Sequence, residues 1–264
     1  MCRLFGCITK NRVNINFSFF DAPKPFKSLL EKNKDGWGIG WYTKTGKANI
    51  FKEGLQEVKN DINRYRFSKV KRVASNIILS HVREASVGDK KHENAHPFKY
   101  KNWIFIQNGR TDRENSNIKL ESKYKKCIKG TTDSELYFLL IMQNYEKTKN
   151  MAKSIQNTLE VVKQRATGLN FLLSNGKKLY AYRNYNKTGK RFTLYYLIRD
   201  LKSAKKPIEH VSKKTNQMLQ SSDLHTGRTV LFCSEPLTDE KWTRIHRGEL
   251  IKVDENLNVR ITKL

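Results

Sequence analysis

The sequence predicts a single domain of the α+β class in which strands outnumber helices. Short runs rich in Val, Ile, Leu and aromatic residues recur along the chain and end at Gly, Pro or Asn-Gly turn signals, as expected for a strand-rich protein. A few segments instead space their apolar residues every three or four positions, as helices do. The 264 residues contain no internal repeat, linker or second-domain boundary, so we expect one domain over residues 2–264.

The chain is strongly basic, since 52 Lys and Arg residues against 25 Asp and Glu residues give a formal net charge of +27. A field of this sign attracts nucleic acid, anionic membranes and acidic partners. The lysines are spread over the whole chain, which is typical of compositional bias, and no zinc-finger spacing or RNP-like motif accompanies them. Nucleic acid is therefore not the favoured partner.

The sequence lacks the signals of a membrane or secreted protein. It has no apolar run of about 18 residues or more, and no basic region followed by a long apolar stretch at its N-terminus. The four cysteines include no Cys-x-x-Cys pair, which favours reduced thiols over a disulfide framework or a structural zinc site. We expect a cytoplasmic protein without a metal or cofactor.

The first part of the chain predicts a strand, a short helix and a second strand. The apolar run at 4–8 indicates an opening strand, and 26–30 indicates the helix. The stretch 35–42 has glycine at every second position, which leaves one strand face bare for tight sheet packing or for the close approach of a ligand. It is not a dinucleotide-binding fingerprint, because Trp41 stands where a glycine is required.

Further elements follow in the middle of the chain. Residues 48–51 complete a predicted hairpin, 56–67 has the spacing of a surface helix, and 75–83 reads as a buried strand that ends at Arg83. A guanidinium at a strand end is suited to bidentate capture of a carboxylate. A solvated surface arginine is the alternative interpretation.

The segment 92–96 matches the His-Glu-x-x-His pattern of zinc proteases. That chemistry requires both histidines one turn apart on a continuous helix. Pro97 directly follows His96 and disfavours helical geometry there, so we predict a loop and no zinc site.

Residues 103–106 predict another core strand, which runs into Asn108-Gly109. This pair commonly forms a plain turn. Alternatively, the Asn108 amide and the Gly109 N–H together stabilise a developing oxyanion. The basic segment 113–130 that follows is predicted to be an exposed excursion.

The segment Thr132–Glu135 has the spacing of a capping box at the start of a helix. Asp133 lies in the first turn, where the helix dipole favours a carboxylate and where it could also bind an ammonium group. A second helix is predicted at 151–165. The remaining predicted strands are at 169–174, 178–182, 192–198, 228–233, 249–253 and 258–261.

Cys2 directly follows the initiator methionine, which processing removes readily when the next side chain is small. The mature N-terminus would then carry a thiol whose ordinary pKa is about 8.5 and an amine whose ordinary pKa is about 7.7–8.0. One residue would thus supply both nucleophile and base. Cysteine is also a small hydrophobic residue that often lies in a core strand, so position alone does not decide between the two.

In their order along the chain, these motifs resemble those of the class II glutamine amidotransferases, which are N-terminal nucleophile hydrolases. The matching segments are Cys2 with Arg3-Leu4-Phe5-Gly6, Asp35-Gly36-Trp37-Gly38, His81-Val82-Arg83, Asn94-Ala95-His96-Pro97-Phe98, Asn108-Gly109 and Thr132-Asp133-Ser134-Glu135. The hairpin at 172–176 and the segment 234–237 with Trp242 are similar to the stand-alone branch of the family, which includes proteins that act on γ-glutamyl peptides.

The resemblance implies a four-layer αββα sandwich and a catalytic group of three residues. It assigns Cys2 as the nucleophile, with its freed amine as the base. The Asn108 side chain and the Gly109 N–H would form the oxyanion hole. No metal or cofactor is implied.

The resemblance also implies the residues that bind substrate. Arg83, helped by Ser86, would bind the α-carboxylate of glutamine, and Asp133 would bind its α-amino group. His96 would line the pocket wall. Departures from the family pattern include Gln107, where histidine is common, and Val87 and Arg110, which leave the identity of the leaving group open.

The implied function is hydrolysis of the glutamine side-chain amide, or of a γ-glutamyl amide, through a γ-glutamyl thioester on Cys2. The ammonia would be delivered to a separate acceptor enzyme. The alternative is a catalytically inactive member of the fold that binds nucleic acid or an acidic partner through its basic surface.

Overall fold

A computed structural model of the chain describes residues 3–18, 36–53, 72–83, 91–111, 118–162, 166–186, 192–199, 208–211, 218–221 and 227–264. The predicted helices at 26–30 and 56–67 lie outside the described residues, as do Cys2 and Ser86. The described cysteines, Cys7, Cys127 and Cys233, are free thiols.

Strands dominate the described part of the chain, and its α-helices lie together in the middle of the sequence. The strands are β1 (Arg3–Ser18), β2 (Trp37–Tyr42), β3 (Ala48–Glu53), β4 (Arg72–Val82), β5 (Phe98–Tyr100), β6 (Trp103–Asn108), β7 (Asn170–Ser174), β8 (Leu179–Arg183), β9 (Tyr195–Arg199), β10 (Ile208–Val211), β11 (Met218–Ser221), β12 (Thr229–Cys233), β13 (Thr243–Arg244), β14 (Glu249–Val253) and β15 (Val259–Lys263). The α-helices are α1 (Ser122–Lys125), α2 (Asp133–Thr148) and α3 (Met151–Val162).

The strands form two antiparallel sheets. Sheet A has nine strands, with the order β13-β9-β12-β1-β4-β2-β3, and β11 pairs with both β1 and β10. Sheet B has six strands, with the order β15-β14-β8-β7-β6-β5. The strand that begins the chain, β1, is therefore central in sheet A.

The two sheets pack face to face. Leu4 and Ile8 of β1 belong to the apolar cluster between the sheets, together with Leu172 of β7. A Cβ atom at Gly6 would lie 2.6 Å from Leu172 Cδ1, so the absence of a side chain there lets the sheets approach closely. Helices α2 and α3 cover the outer face of sheet B through a second cluster. The predicted α+β sandwich is confirmed.

Two local predictions need correction. Strand β1 has 16 residues, longer than the apolar run predicts, because an irregularity between Ile8 and Val13 lets a polar stretch continue the pairing with β4. Thr132 is the N-cap of α2 but makes no side-chain capping hydrogen bond. Glu135 instead accepts hydrogen bonds from the N–H groups of Lys129 (3.1 Å) and Gly130 (2.8 Å), so the capping box is not formed.

Residues 118–130 are the described part of the predicted basic excursion. Leu120 and Tyr124 in this segment are buried against the cluster that includes α2, while the lysine side chains around them are exposed. The boundaries of the excursion and of the domain remain predictions. No helix in the described part of the chain is long and apolar enough to cross a membrane.

Candidate active site

One end of sheet A brings the start of β1 next to the end of β4. Arg3 of β1 is in register with Val82 of β4, and Val82 is in register with Trp37 of β2. Arg83 directly follows β4, and its N–H donates to the Gly36 carbonyl at 2.8 Å. The Arg83 side chain is buried, with 4% of its surface exposed, which excludes the solvated surface arginine. A buried guanidinium thus lies at the sheet end where the chain begins.

The end of β6 in sheet B carries the Asn108-Gly109 pair. Asn108 is buried and in register with Asn170 of β7. Gly109 has φ = +134°, and a Cβ atom built on it would lie 2.0 Å from the Gly168 carbonyl oxygen. Only glycine fits this conformation and this backbone approach. The pair therefore ends a strand in a fixed backbone geometry and is not an exposed turn.

Asp133 is the first residue of α2, and its carboxylate is held close to the Asn108-Gly109 pair. Its Oδ2 accepts hydrogen bonds from the N–H of Thr111 at 2.5 Å and from the Thr111 hydroxyl at 3.2 Å. Burial raises the pKa of Asp133, opposed by the hydrogen bonds from Thr111. Because Thr111 is two residues after Gly109, this contact ties the start of α2 to the end of β6.

His96 packs against a second histidine in the core. The His81 and His96 rings are 4.2 Å apart, and Phe98 meets His96 edge-on at 4.6 Å. Burial lowers the pKa of His81 to about 3 and that of His96 well below its usual value, and the Arg83 guanidinium lowers both further. Both imidazoles are therefore neutral at physiological pH.

The ring nitrogens of this histidine pair are buried, and within the described residues none of them makes a hydrogen bond of good geometry. The backbone of Gln107 lies near His81 and partly offsets the lowering of its pKa. His81 therefore links β4, which ends at Val82 next to Arg83, to β6, which ends at Asn108. The two candidate segments are neighbours across the sheets.

The glycine-rich strand β2 receives the backbone of His96. A Cβ atom at Gly38 would lie 2.1 Å from the His96 carbonyl oxygen, and one at Gly40 would lie 2.6 Å from Ile104 Cγ2. Trp37 and Ile39, on the opposite face, belong to a separate apolar cluster. At these two glycines the bare face serves close packing, which is one of the two alternatives that the sequence left open.

Lys52 is a buried cation beside this loop that was not predicted from the sequence. Its Nζ donates to the carbonyl oxygens of Glu93 (3.0 Å) and Ala95 (2.8 Å) and lies 4.8 Å from the centre of the Phe98 ring. Burial lowers the pKa of Lys52 to about 8, while the Glu135 carboxylate opposes this. The period-two pattern of β3 was the available signal, because it places Lys52 on the same strand face as the core residue Ala48.

The His-Glu-x-x-His segment does not have the geometry of a zinc protease. Residues His92–Asn94 form a single 3-10 turn, and Ala95 is extended, with φ = −80° and ψ = 146°. As predicted, the two histidines therefore do not lie one turn apart on an α-helix. Within the described residues, no group of three or more His, Cys, Asp or Glu side chains could hold a metal ion.

The described cysteines are poor candidates for a nucleophile. Burial raises the pKa of Cys7 and of Cys233 to about 12, so neither forms a thiolate near neutral pH. Cys127 is partly exposed, and its Sγ donates to the carbonyl of Lys123. It packs against the cluster beneath α2 rather than at the sheet end that carries Arg83.

A cavity of about 470 Å³ is lined by none of the predicted site residues. It is lined by the irregular part of β1 around Thr9 and Arg12 and by the turns after β2 and β7. Arg12 there donates to the backbone carbonyls of Tyr42 and Ala74. The cavity therefore lies away from the start of β1.

The described site residues thus form two linked groups. Arg83 and His96 belong to the group around His81, whereas Asn108, Gly109 and Asp133 belong to the group around Thr111. The groups meet where β4 and β6 face each other. One group thus contains a buried cation, Arg83, and the other a buried carboxylate, Asp133, which are the two kinds of charge that an amino acid head group requires.

A sandwich of two antiparallel sheets, in which the strand that begins at Arg3 is central, is the fold of the N-terminal nucleophile hydrolases. The family model of the class-II glutamine amidotransferases matches residues 1–262, and the chain belongs to that family. Membership of this family indicates glutamine amidotransferase activity, with glutamine as the substrate.

Individual relatives agree with this assignment. The Escherichia coli protein named "Putative glutamine amidotransferase YafJ" is 28% identical, over 94% of this chain and 96% of its own length. The structure of a predicted glutamine amidotransferase from Pseudomonas aeruginosa has a TM-score of 0.68 at 21% identity, covering 97% of this chain and 98% of the other. The phosphoribosylpyrophosphate amidotransferase of Bacillus subtilis has a TM-score of 0.58 at 15% identity, covering 99% of this chain and 49% of the other, and shares the fold.

Proposed function

We propose that the protein hydrolyses the side-chain amide of glutamine, or a γ-glutamyl amide, with Cys2 as its N-terminal nucleophile. The observations that support the proposal are that buried Arg83 directly follows β4, whose Val82 is in register with Arg3 of β1, and that buried Asp133 is bonded to Thr111 just after the end of β6. A zwitterionic head group needs one fixed cation and one fixed anion. We assign its α-carboxylate to Arg83 and Ser86, and its α-amino group to Asp133.

The oxyanion hole in this proposal consists of the Asn108 side chain and the Gly109 N–H. Support comes from the backbone of Gly109, which the approach of Gly168 fixes in place. Donors that are fixed before the reaction stabilise a developing charge without the cost of reorganisation. His96 is assigned to the wall of the pocket, where its neutral ring adds no charge next to Arg83.

The reaction proceeds through a covalent thioester. The terminal amine takes the proton of the Cys2 thiol, the thiolate attacks the amide carbon of the side chain to form a C–S bond, and the oxyanion is held by Asn108 and Gly109. The C–N bond then breaks, and the terminal ammonium gives its proton to the departing nitrogen. Water attacks the γ-glutamyl thioester with the terminal amine as base, the C–S bond breaks, and glutamate and the free thiol result.

The site exists only after removal of Met1 in this proposal, because the base is the amine of Cys2. The resulting ammonia passes to a separate acceptor enzyme, or an amine leaves if the substrate is a γ-glutamyl amide. The reducing cytoplasm suits a reactive thiol and remains our predicted location.

Glutamine hydrolysis by the variant Cys2→Ala tests the nucleophile. We expect loss of activity by about 10³-fold or more, as for other nucleophile deletions. Cys127→Ala is the matched control, because it removes a partly exposed thiol in a different cluster. Retained activity in Cys2→Ala, or an equal loss in the control, would contradict the proposal.

The second candidate function is binding of nucleic acid or an acidic partner without catalysis. The net charge of +27 is the observation that favours it. Binding of this kind weakens steeply as salt concentration rises. Salt-sensitive binding together with a retained Met1 and no glutaminase activity would select it over the hydrolase.

A further inference from the structure

The segment that follows β12 makes contacts with the first residues of β1 that the catalytic proposal does not use. Strand β12 ends at Cys233, in register with Phe5. One residue further, the Ser234 N–H donates to the Leu4 carbonyl at 3.0 Å, and the Ser234 hydroxyl accepts the Leu4 N–H at 3.0 Å. The side chain of Ser234 thus takes the place of a backbone carbonyl in the strand pairing.

The backbone carbonyl of Ser234 is used elsewhere. It accepts a hydrogen bond from the Thr193 hydroxyl at 2.7 Å, while the Leu4 N–H bonds the Ser234 hydroxyl. Ser234 has 2% of its surface exposed, so an unpaired Leu4 N–H at this position would carry a desolvation cost. Ser234 therefore accepts hydrogen bonds from both Leu4 and Thr193, through its hydroxyl and its carbonyl oxygen.

The next residue adds an ion pair. The Glu235 carboxylate lies 3.3 Å from Arg3 Nε, and the two side chains are 23% and 7% exposed. Leu237, two residues on, is buried in the same apolar cluster as Phe5. Pro236 restricts the backbone between them. Leu237 therefore anchors residues 234–237 in the apolar cluster that also contains Phe5 of β1.

We propose that Ser234 and Glu235 are positioning residues for the N-terminal nucleophile. Their contacts hold Arg3 and Leu4 from one side, while the register with Val82 and His81 of β4 holds them from the other. An N-terminal nucleophile has no preceding residue to orient it, and strand ends usually fray. The residues that hold positions 3 and 4 therefore set the direction in which the chain presents position 2.

This inference rests on the proposed function, and it predicts a specific kinetic signature. Ser234 and Glu235 contact Leu4 and Arg3, respectively. The proposed function assigns the glutamine head group to other residues, Arg83 and Asp133. Misplacement of a reacting atom lowers the rate of the chemical step. We expect the two residues to affect kcat and the rate of thiol labelling, with KM for glutamine largely preserved.

The test compares Ser234→Ala with Ser174→Ala in the full chain. Both hydroxyls are buried and accept a backbone N–H, that of Leu4 at 3.0 Å and that of Gly176 at 3.1 Å, but Ser174 lies at the end of β7. We expect Ser234→Ala to lower kcat about 10-fold or more, with KM within about 2-fold of wild type. Ser174→Ala should leave both constants near wild type.

Glu235→Gln provides a second variant, which keeps the size of the side chain and is therefore less prone to misfold. It should lower the rate of labelling by a glutamine-analogue electrophile, in parallel with kcat. Amide exchange of Leu4 should speed up in Ser234→Ala while the core strands stay protected.

The outcomes separate this inference from the proposed function. Wild-type kcat in both folded variants would overturn the positioning role while leaving the hydrolase intact. A rise in KM alone would assign these residues to substrate binding and would equally overturn it. Absence of hydrolysis of both glutamine and γ-glutamyl amides in the wild type would refute the proposed function and, with it, the catalytic role of these contacts.

Discussion

The stacked pair His81–His96 makes a quantitative prediction about acid stability. Both imidazoles are buried and neutral in the folded protein, because burial lowers the pKa of His81 to about 3 and that of His96 well below its usual value of 6.5. In the unfolded chain both would bind a proton below about pH 6.5. The unfolded state therefore binds more protons, and the free energy of unfolding falls as pH decreases from about 6.5 towards 3.

The magnitude follows from the difference in proton binding. Each neutral histidine lowers the free energy of unfolding by about 1.4 kcal/mol per pH unit below 6.5, so the pair lowers it by about 4 kcal/mol at pH 5. A typical domain is stable by only about 5–15 kcal/mol. We therefore expect a marked loss of stability in mild acid.

Urea unfolding at a series of pH values between 7.5 and 5 measures this slope. His96→Asn removes one of the two titrating groups, so its slope should be smaller than that of the wild type by about 1.4 kcal/mol per pH unit. Phe98→Leu is the matched control, because it alters a buried ring 4.6 Å from His96 without changing a titratable group. It should lower stability at every pH and leave the slope unchanged.

A His96→Asn variant that keeps the full wild-type slope would contradict this prediction. So would a wild-type protein whose free energy of unfolding is the same at pH 7.5 and pH 5. Either result would mean that the buried imidazoles are protonated in the folded state.

Three further predictions concern single side chains. Asp133→Asn should raise KM for glutamine about 10- to 100-fold in steady-state assays, because it removes the charge-assisted contact that we propose to the α-amino group; an unchanged KM would exclude that role. Gly109→Ala should abolish activity and lower the melting temperature, since its Cβ would lie 2.0 Å from the Gly168 carbonyl oxygen, and a fully active variant would contradict this geometry. Folding lowers the pKa of Lys52 to about 8, so the free energy of unfolding of the wild type should rise between about pH 8 and pH 10.5. Lys52→Met should lack this rise in urea unfolding, and identical pH profiles for the two proteins would contradict the prediction.

The strands were predictable because their residues specify them locally. Runs of β-branched and aromatic residues bounded by turn signals placed β6, β7, β8 and β14 within a few residues. The short strands β10 and β11 were not predicted, because their pairing depends on β1, which lies far away in the sequence. Such pairing leaves little trace in the local pattern.

The site was predictable only in part, for a similar reason. Arg83 and Gly109 each follow the end of a strand, and the sequence carries that information. The contact of Asp133 with Thr111 and the stack of His81 on His96 join residues from different elements, and no spacing rule connects them. Glu135 illustrates the limit, because its capping spacing is correct while its hydrogen bonds go to Lys129 and Gly130.

The central claim is that processing creates the active site by exposing Cys2. Intact-mass measurement of the full chain after treatment with a glutamine-analogue electrophile tests this most directly, since it reports the loss of Met1 and the labelling of Cys2 together. We predict a protein without Met1 that carries one adduct, located on Cys2 by peptide mapping and absent from Cys2→Ala. A protein that retains Met1, or an adduct found on Cys127 instead, would contradict the account.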